Sequence, residues 1–218
     1  MNKVYLYLSG NLKLSCLKDG LQSSETEIRP LKTDDVWRKL SDIPGGFLEE
    51  SIHKLPRFRQ KQCNRYRQES DKINCVISYF LLLMGLSERY GIDSSVEFIY
   101  NEYGKPYLRD YPHIFFNISH CNGAIACALD DFEIGVDIQD VQEFDRKVAE
   151  KICTETELNE LAVSDNPARL FCKMWTARES YAKAMGIGIA GVLKCDFDKS
   201  HLIQMDFGDK CLSLYRLQ

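Results

Sequence analysis

The chain has 218 residues, 44% hydrophobic and 28% charged, with a formal net charge of -4 and pI ≈ 5.6. That composition suits a packed core in one or two domains and argues against a nucleic-acid-binding surface. No apolar run reaches the ~20 residues a membrane-spanning helix needs, and no signal-peptide core follows the start. The nine cysteines are odd in number, without CxxC or histidines at ligand spacing. They read as reduced thiols of a cytoplasmic protein, not as zinc ligands or a disulfide framework.

Taken in order, Val4-Tyr5-Leu6-Tyr7-Leu8 predicts a strand. Residues 11–30 are polar and loop-like, Thr33 is placed to cap a helix over 34–40, and Pro44-Gly45-Gly46 should break the chain. His53, Lys54, Arg57, Arg59, Lys61, Arg65, Arg67 and Lys72 make a basic segment in an acidic protein. It is either a solvated helical face or a phosphate site, since arginines fork onto phosphate oxygens. Residues 75–89 are apolar on most sides and predict the core helix of the first half, stopped at Gly91. Phe98-Ile99-Tyr100 reads as a short strand and Asn101-Glu102-Tyr103-Gly104-Lys105-Pro106 as a loop. Phe115 opens an apolar stretch that ends in Ser119 and His120. Ala124-Ile125-Ala126-Cys127-Ala128-Leu129 is a buried strand, Asp130-Asp131 a turn, and Ile134-Gly135-Val136-Asp137-Ile138-Gln139 another strand. On it Gly135, Asp137 and Gln139 share one face. An acid such as Asp137 in an apolar strand needs a metal or a cation as partner.

Residues 144–161 read as a helix broken near Thr154, whose spacing to Glu157 fits a capping box. Asp165-Asn166-Pro167 is a turn, and a helix follows over 168–185, its apolar stripe including Leu170, Phe171, Met174, Tyr181 and Met185. Trp175, Glu179 and Lys183 lie on one face of that helix. Alone they read as a Glu–Lys surface pair beside a core tryptophan. Gly186 to Gly191 is a glycine-rich loop without a Walker pattern. Residues 192–218 alternate like two or three strands, with Phe197 on the first.

Gly135-Val136-Asp137 followed by Trp175-x-x-Arg178-Glu179-x-x-x-Lys183 resembles the paired signature of the 4'-phosphopantetheinyl transferase superfamily. Phe116-Asn117-Ile118-Ser119-His120 and Glu102-Tyr103-Gly104-Lys105-Pro106, in the same order and at similar spacing, extend the likeness to the surfactin-type (Sfp-like) group. The likeness runs from about residue 55 to about residue 190. It implies an α+β fold, a pseudo-dimer of two similar halves with the active site in the cleft between them. Residues 1–132 would be the N-terminal half, on the coenzyme A phosphate and adenine side. Residues 133–218 would be the C-terminal half, carrying the metal and the catalytic helix.

The resemblance further implies transfer of the 4'-phosphopantetheine arm of coenzyme A to a serine of an apo acyl or peptidyl carrier protein, with release of 3',5'-ADP. Mg²⁺ (or Mn²⁺) would sit on Asp137, Gln139 and Glu179, with Gln139 standing where many relatives have Glu. Glu179 and Lys183 would be catalytic. Arg59, Gly104, Lys105, Pro106, Ser119, His120 and Lys183 would bind coenzyme A. Arg178 stands where the family usually has Lys and keeps the charge, while Trp175 packs the helix. A cytoplasmic monomer with no nucleic-acid or membrane partner is expected. Two other readings stay open: a non-catalytic relative that binds coenzyme A or a carrier protein, and an unrelated α+β nucleotide-binding enzyme, which requires Asp137 and Glu179 to be far apart.

Overall fold

The structure, a computed structural model, describes residues 3–8, 11–16, 28–29 and 45–217. The helix expected over 34–40, with its cap at Thr33, lies outside the described residues.

The first half builds a sheet and a helical layer. Strands β1 (Lys3–Leu8), β2 (Asn11–Cys16), β3 (Ile28–Arg29), β6 (Phe115–Cys121) and β7 (Ala124–Asp130) form an antiparallel sheet in the order β3-β2-β1-β7-β6. Residues 11–16 are therefore strand and not loop. Leu12 and Leu14 alternate with polar neighbours, which is the period of two of a strand. Helices α1 (Gly45–Lys54), α2 (Arg57–Cys63) and α3 (Glu69–Tyr90) follow, then a two-stranded ribbon of β4 (Phe98–Tyr100) and β5 (Pro106–Leu108). Gly45 and Gly46 open α1 instead of breaking the chain, at the end of a helix where amides lack partners in any case. The core helix α3 starts earlier than the apolar run, because Glu69 and Asp71 suit the positive end of the dipole.

The second half follows the turn after Asp130. Strand β8 (Ile134–Asp140) leads to α4 (Arg146–Ile152) and α5 (Glu155–Val163), then to the long α6 (Pro167–Met185). The capping box is formed: Thr154 Oγ accepts from the Glu157 amide, and the Glu157 carboxylate accepts from the Thr154 amide. A 3-10 turn (Ile189–Val192) precedes β9 (Leu202–Phe207) and β10 (Lys210–Arg216), and these pair with β8 in the order β8-β10-β9. Phe197 lies outside any strand; its ring stacks on Tyr181 with centroids 4.6 Å apart. Helix α3 packs over β7, and α6 packs over β8 and β10. Among the described residues no helix is long and apolar enough to cross a membrane.

Candidate active site

The site is built where the edge strands β6 and β8 of the two sheets run side by side. Their connection is made by side chains. Asn117 Oδ1 accepts from the Val136 amide (3.0 Å), and Ser119 Oγ accepts from the Ile138 amide (3.3 Å). The offset is the same for both bonds, so the strands run parallel. Asn117 and Ser119 are two apart on β6 and therefore share a face. That spacing was visible in the sequence, but their role as substitutes for ladder carbonyls was not.

Asp137 projects from β8 and is 1% exposed. Ser119 Oγ donates to its Oδ1 at 2.7 Å, and the Lys183 ammonium donates to the same oxygen at 2.6 Å. Lys183 Nζ also donates to Ser119 Oγ (3.2 Å) and to the Val136 carbonyl (3.3 Å). The buried charge expected to need a cation thus has one from α6, 46 residues away in sequence. The second Asp137 oxygen accepts from Gln139 Nε2 at 3.3 Å. The Glu–Lys helix pair read from the sequence is not formed, because Lys183 has turned to β8.

The approach of α6 depends on Gly135. A Cβ there would come 2.0 Å from the Ser180 carbonyl oxygen and 2.4 Å from the Ala184 amide nitrogen. Only a residue without a side chain lets the turn bearing Lys183 lie flat on β8.

Glu179 is half-buried and has no hydrogen bond or ion pair among the described residues. Its pKa is raised by burial and by the Asp137 charge, against the opposing effect of Lys183. An unpartnered carboxylate facing a second carboxylate is what a bound cation relieves. Asp137, Glu179 and the Gln139 amide oxygen would offer such an ion oxygen atoms alone, the chemistry Mg²⁺ takes with water. Among the described residues no cluster of three His, Cys, Asp or Glu is close enough to hold a metal. Any cation here rests on two carboxylates and an amide. The residues fit a hard divalent ion on those terms.

The remaining expected site residues divide. His120 follows Ser119 near the strand end, exposed, its imidazole without a hydrogen bond among the described residues. Arg59 is buried: Nη1 donates to Gln62 Oε1 and Nη2 to the Cys75 carbonyl, each at 2.7 Å, and the guanidinium stands over the Tyr79 ring. Arg57, Lys61, Arg65 and Arg67 in the same segment are exposed, with no ion pair among the described residues. Gly104 takes a left-handed conformation (φ 84°) that tightens the β4–β5 turn. Lys105 is 7% exposed and pairs with Glu133. Trp175 packs beside the cluster of Ala149, Ile152, Cys153, Leu161 and Met174.

Two charged groups escaped the sequence reading. Arg178 is 1% exposed and faces the core, not the site. Its Nη1 and Nη2 donate to Glu157 Oε1 and Oε2 at 3.0 and 2.5 Å. Burial pushes the Glu157 carboxyl up, but the Arg178 hydrogen bonds and the Thr154 amide bring it below its usual value. Asp130, read only as part of a turn, is fully buried between Arg89 of α3 (3.6 Å) and Arg216 of β10 (3.0 Å). It ties the two halves together beside their connection.

The chain belongs to the 4'-phosphopantetheinyl transferase superfamily, whose profile matches residues 133–217. It is 30% identical over 165 residues to 4'-phosphopantetheinyl transferase Sfp of Bacillus subtilis (strain 168), which covers 74% of this chain and 68% of that protein. It is 32% identical to 4'-phosphopantetheinyl transferase gsp of Aneurinibacillus migulanus, over 66% of this chain and 60% of the relative. To 4'-phosphopantetheinyl transferase HetI of Nostoc sp. it is 27% identical, over 73% of this chain and 72% of the relative. Within the superfamily it stands in the surfactin-type (Sfp-like) group, and it is a transferase.

Proposed function

We propose that the protein transfers the 4'-phosphopantetheine arm of coenzyme A to a serine of an apo acyl or peptidyl carrier protein, with Mg²⁺, releasing 3',5'-ADP. The convergence of Asp137, Glu179 and Lys183 from two distant segments supports this reading most directly. The names of the relatives give the arm that is transferred.

The serine hydroxyl attacks the β-phosphorus of coenzyme A. Its oxygen forms the new P–O bond while the bond to the 3',5'-ADP phosphate breaks. The Glu179 carboxylate takes the serine proton, and its lack of a competing donor suits it to do so. Lys183 stabilises the negative charge that collects on the departing phosphate. His120 and Ser119 are assigned to the phosphate oxygens at the end of β6, the Ser119 hydroxyl exchanging its bond to Asp137 for one to phosphate when coenzyme A binds. Asp137, Gln139 and Glu179 would hold the ion, which supplies positive charge against the pyrophosphate. Arg59 and its exposed neighbours are assigned to the 3'-phosphate, and Gly104, Lys105 and Pro106 border the adenine end. The two sheet-and-helix halves, 1–132 and 133–218, form the pseudo-dimer with this site between them. The protein works as a cytoplasmic monomer.

The test is a transfer assay with coenzyme A, Mg²⁺ and a panel of apo carrier proteins, read as the mass gain of the carrier. Transfer that EDTA abolishes is expected. No transfer to any carrier with Mg²⁺ present, while calorimetry shows coenzyme A bound, would replace this reading with a non-catalytic binding protein.

A further inference from the structure

The last turn of α6 is held by the loop between β4 and β5. An α-helix leaves its last four carbonyls without partners. Here the Ile187 amide donates to the Ala182 carbonyl (3.0 Å) and the Gly186 amide to the Lys183 carbonyl (3.3 Å), across a left-handed Gly186 (φ 67°). The next acceptors are reached from the first half of the molecule. Lys105 Nζ donates to the Ala184 carbonyl at 2.8 Å, and Asn101 Nδ2 to the Gly186 carbonyl at 2.8 Å.

The donors are themselves fixed. Asn101 Oδ1 accepts from the Tyr103 and Lys105 amides at 3.0 and 2.8 Å. Glu133 pairs with the Lys105 ammonium and accepts from Tyr107 OH at 3.1 Å. The fit is close: a Cβ on Gly186 would come 2.9 Å from Asn101 Nδ2 and 3.2 Å from Lys105 Cδ. A cation at a helix C-terminus also meets the negative end of the dipole. With hydrogen bonds committed to Ala184 and Glu133, the ammonium has at most one hydrogen left for any ligand.

We propose that Lys105 is a positioning residue for the transfer reaction, setting the last turn of α6 and with it the reach of Lys183 to Asp137. This rests on the function proposed above, and it assigns the Lys105 ammonium to the helix while leaving the backbone of the loop to border the nucleotide. One stretch of seven residues, from Asn101 to Tyr107, then links the adenine end of the site to the residue that meets the leaving group.

The test compares Lys105→Met and Lys105→Arg with the full-length enzyme, using coenzyme A and an apo carrier. Lys105→Met should lower kcat about tenfold while KM for coenzyme A moves less than about threefold, and Lys105→Arg should recover part of the loss. Amide hydrogen exchange at Gly186 and Ile187 should quicken in Lys105→Met. In a Lys183→Ala background the Lys105 substitution should add little, because the two act as a unit. A raised KM at unchanged kcat would overturn the proposal in favour of direct nucleotide contact. Losses that simply add to those of Lys183→Ala would overturn it in favour of a general structural role. If Lys105→Met does not fold, Glu133→Gln loosens the same ammonium and carries the same expectations. Failure of the wild type to transfer at all would fall on the function instead, and the exchange experiment would still decide the clamp.

Discussion

Helices α3 and α6 are the long helices of the two halves, and they are made for different purposes. Each lies on an antiparallel sheet, and each ends in a left-handed glycine, Gly91 (φ 66°) and Gly186 (φ 67°), followed by Ile92 or Ile187 donating back into the last turn. Their buried faces differ. Helix α3 buries Val76, Ile77, Tyr79, Leu81, Leu82 and Leu86, the large side chains that fill the first core. Helix α6 buries Thr176, Ala177, Arg178, Ser180, Ala182 and Ala184. Small residues bring its backbone down onto Gly135, and Thr176 finds its partner on β10: its Oγ1 lies 2.7 Å from Ser213 Oγ, which accepts from Gln204 at 2.9 Å. Bulk builds a core, whereas close approach builds a site. A helix that must deliver Lys183 to a buried carboxylate cannot carry leucines on the face that does it.

The sharpest break of this comparison is at Glu179. Glu179→Gln should cut transfer by ~10²–10⁴-fold with the melting curve unchanged. A single-turnover assay beside a thermal melt checks it, and an activity within twofold of wild type would remove Glu179 from the chemistry. Arg178→Ala, about 100° further round the same helix, should act on stability. It leaves the buried Glu157 with the exposed Lys199 at 3.6 Å in place of a bidentate guanidinium, at a cost of about 3 kcal/mol by denaturant unfolding. Leu82→Ala on α3 should cost ~2–5 kcal/mol through the cavity it leaves, with kcat retained where the protein is folded. If Leu82→Ala altered kcat as strongly as Glu179→Gln, the division of labour between the helices would be wrong. Gly135→Ala should cost roughly 1–3 kcal/mol by overpacking β8 against α6. Unlike Leu82→Ala, it should lower kcat too, since the turn it displaces bears Lys183.

The smallest effect concerns pH. Glu157 is brought below its ordinary 4.5 in the folded state. The stabilisation from that shift is present above the unfolded value and is lost as pH falls through the folded one. Stability measured by denaturant melts should therefore decline below pH 4.5, and Glu157→Gln should flatten that part of the profile. An unchanged slope in the variant would mean that other carboxylates set the acid limb.

Much of the frame was legible in the sequence because its signals are local. The period of two marked β1 and β8, an unbroken apolar run marked β7, and Asp137 stood out as an acid in an apolar strand. Thr154 and Glu157 announced a capping box that the fold contains, and Asn166-Pro167 and Gly186 bounded α6. The errors also have local causes. Residues 11–16 looked like loop because polar residues stand at every second position of the segment. Phe197 looked like strand because alternation cannot distinguish a strand from an aromatic that stacks on Tyr181.

What the sequence determined alone was which face each charged residue occupies, since that follows from the repeat of its own element. Which partner it meets was decided by tertiary structure. Lys183 could have paired with Glu179 on its own helix, and instead it bonds Asp137. Arg178 was legible only as a positive charge on the helix, and it is buried against Glu157. Lys105, in what read as an ordinary turn, closes a helix 79 residues further on. The reason is physical: a helical or strand period fixes direction, but a hydrogen bond requires two groups within about 3 Å. Only the packing of one element against another brings these groups that close.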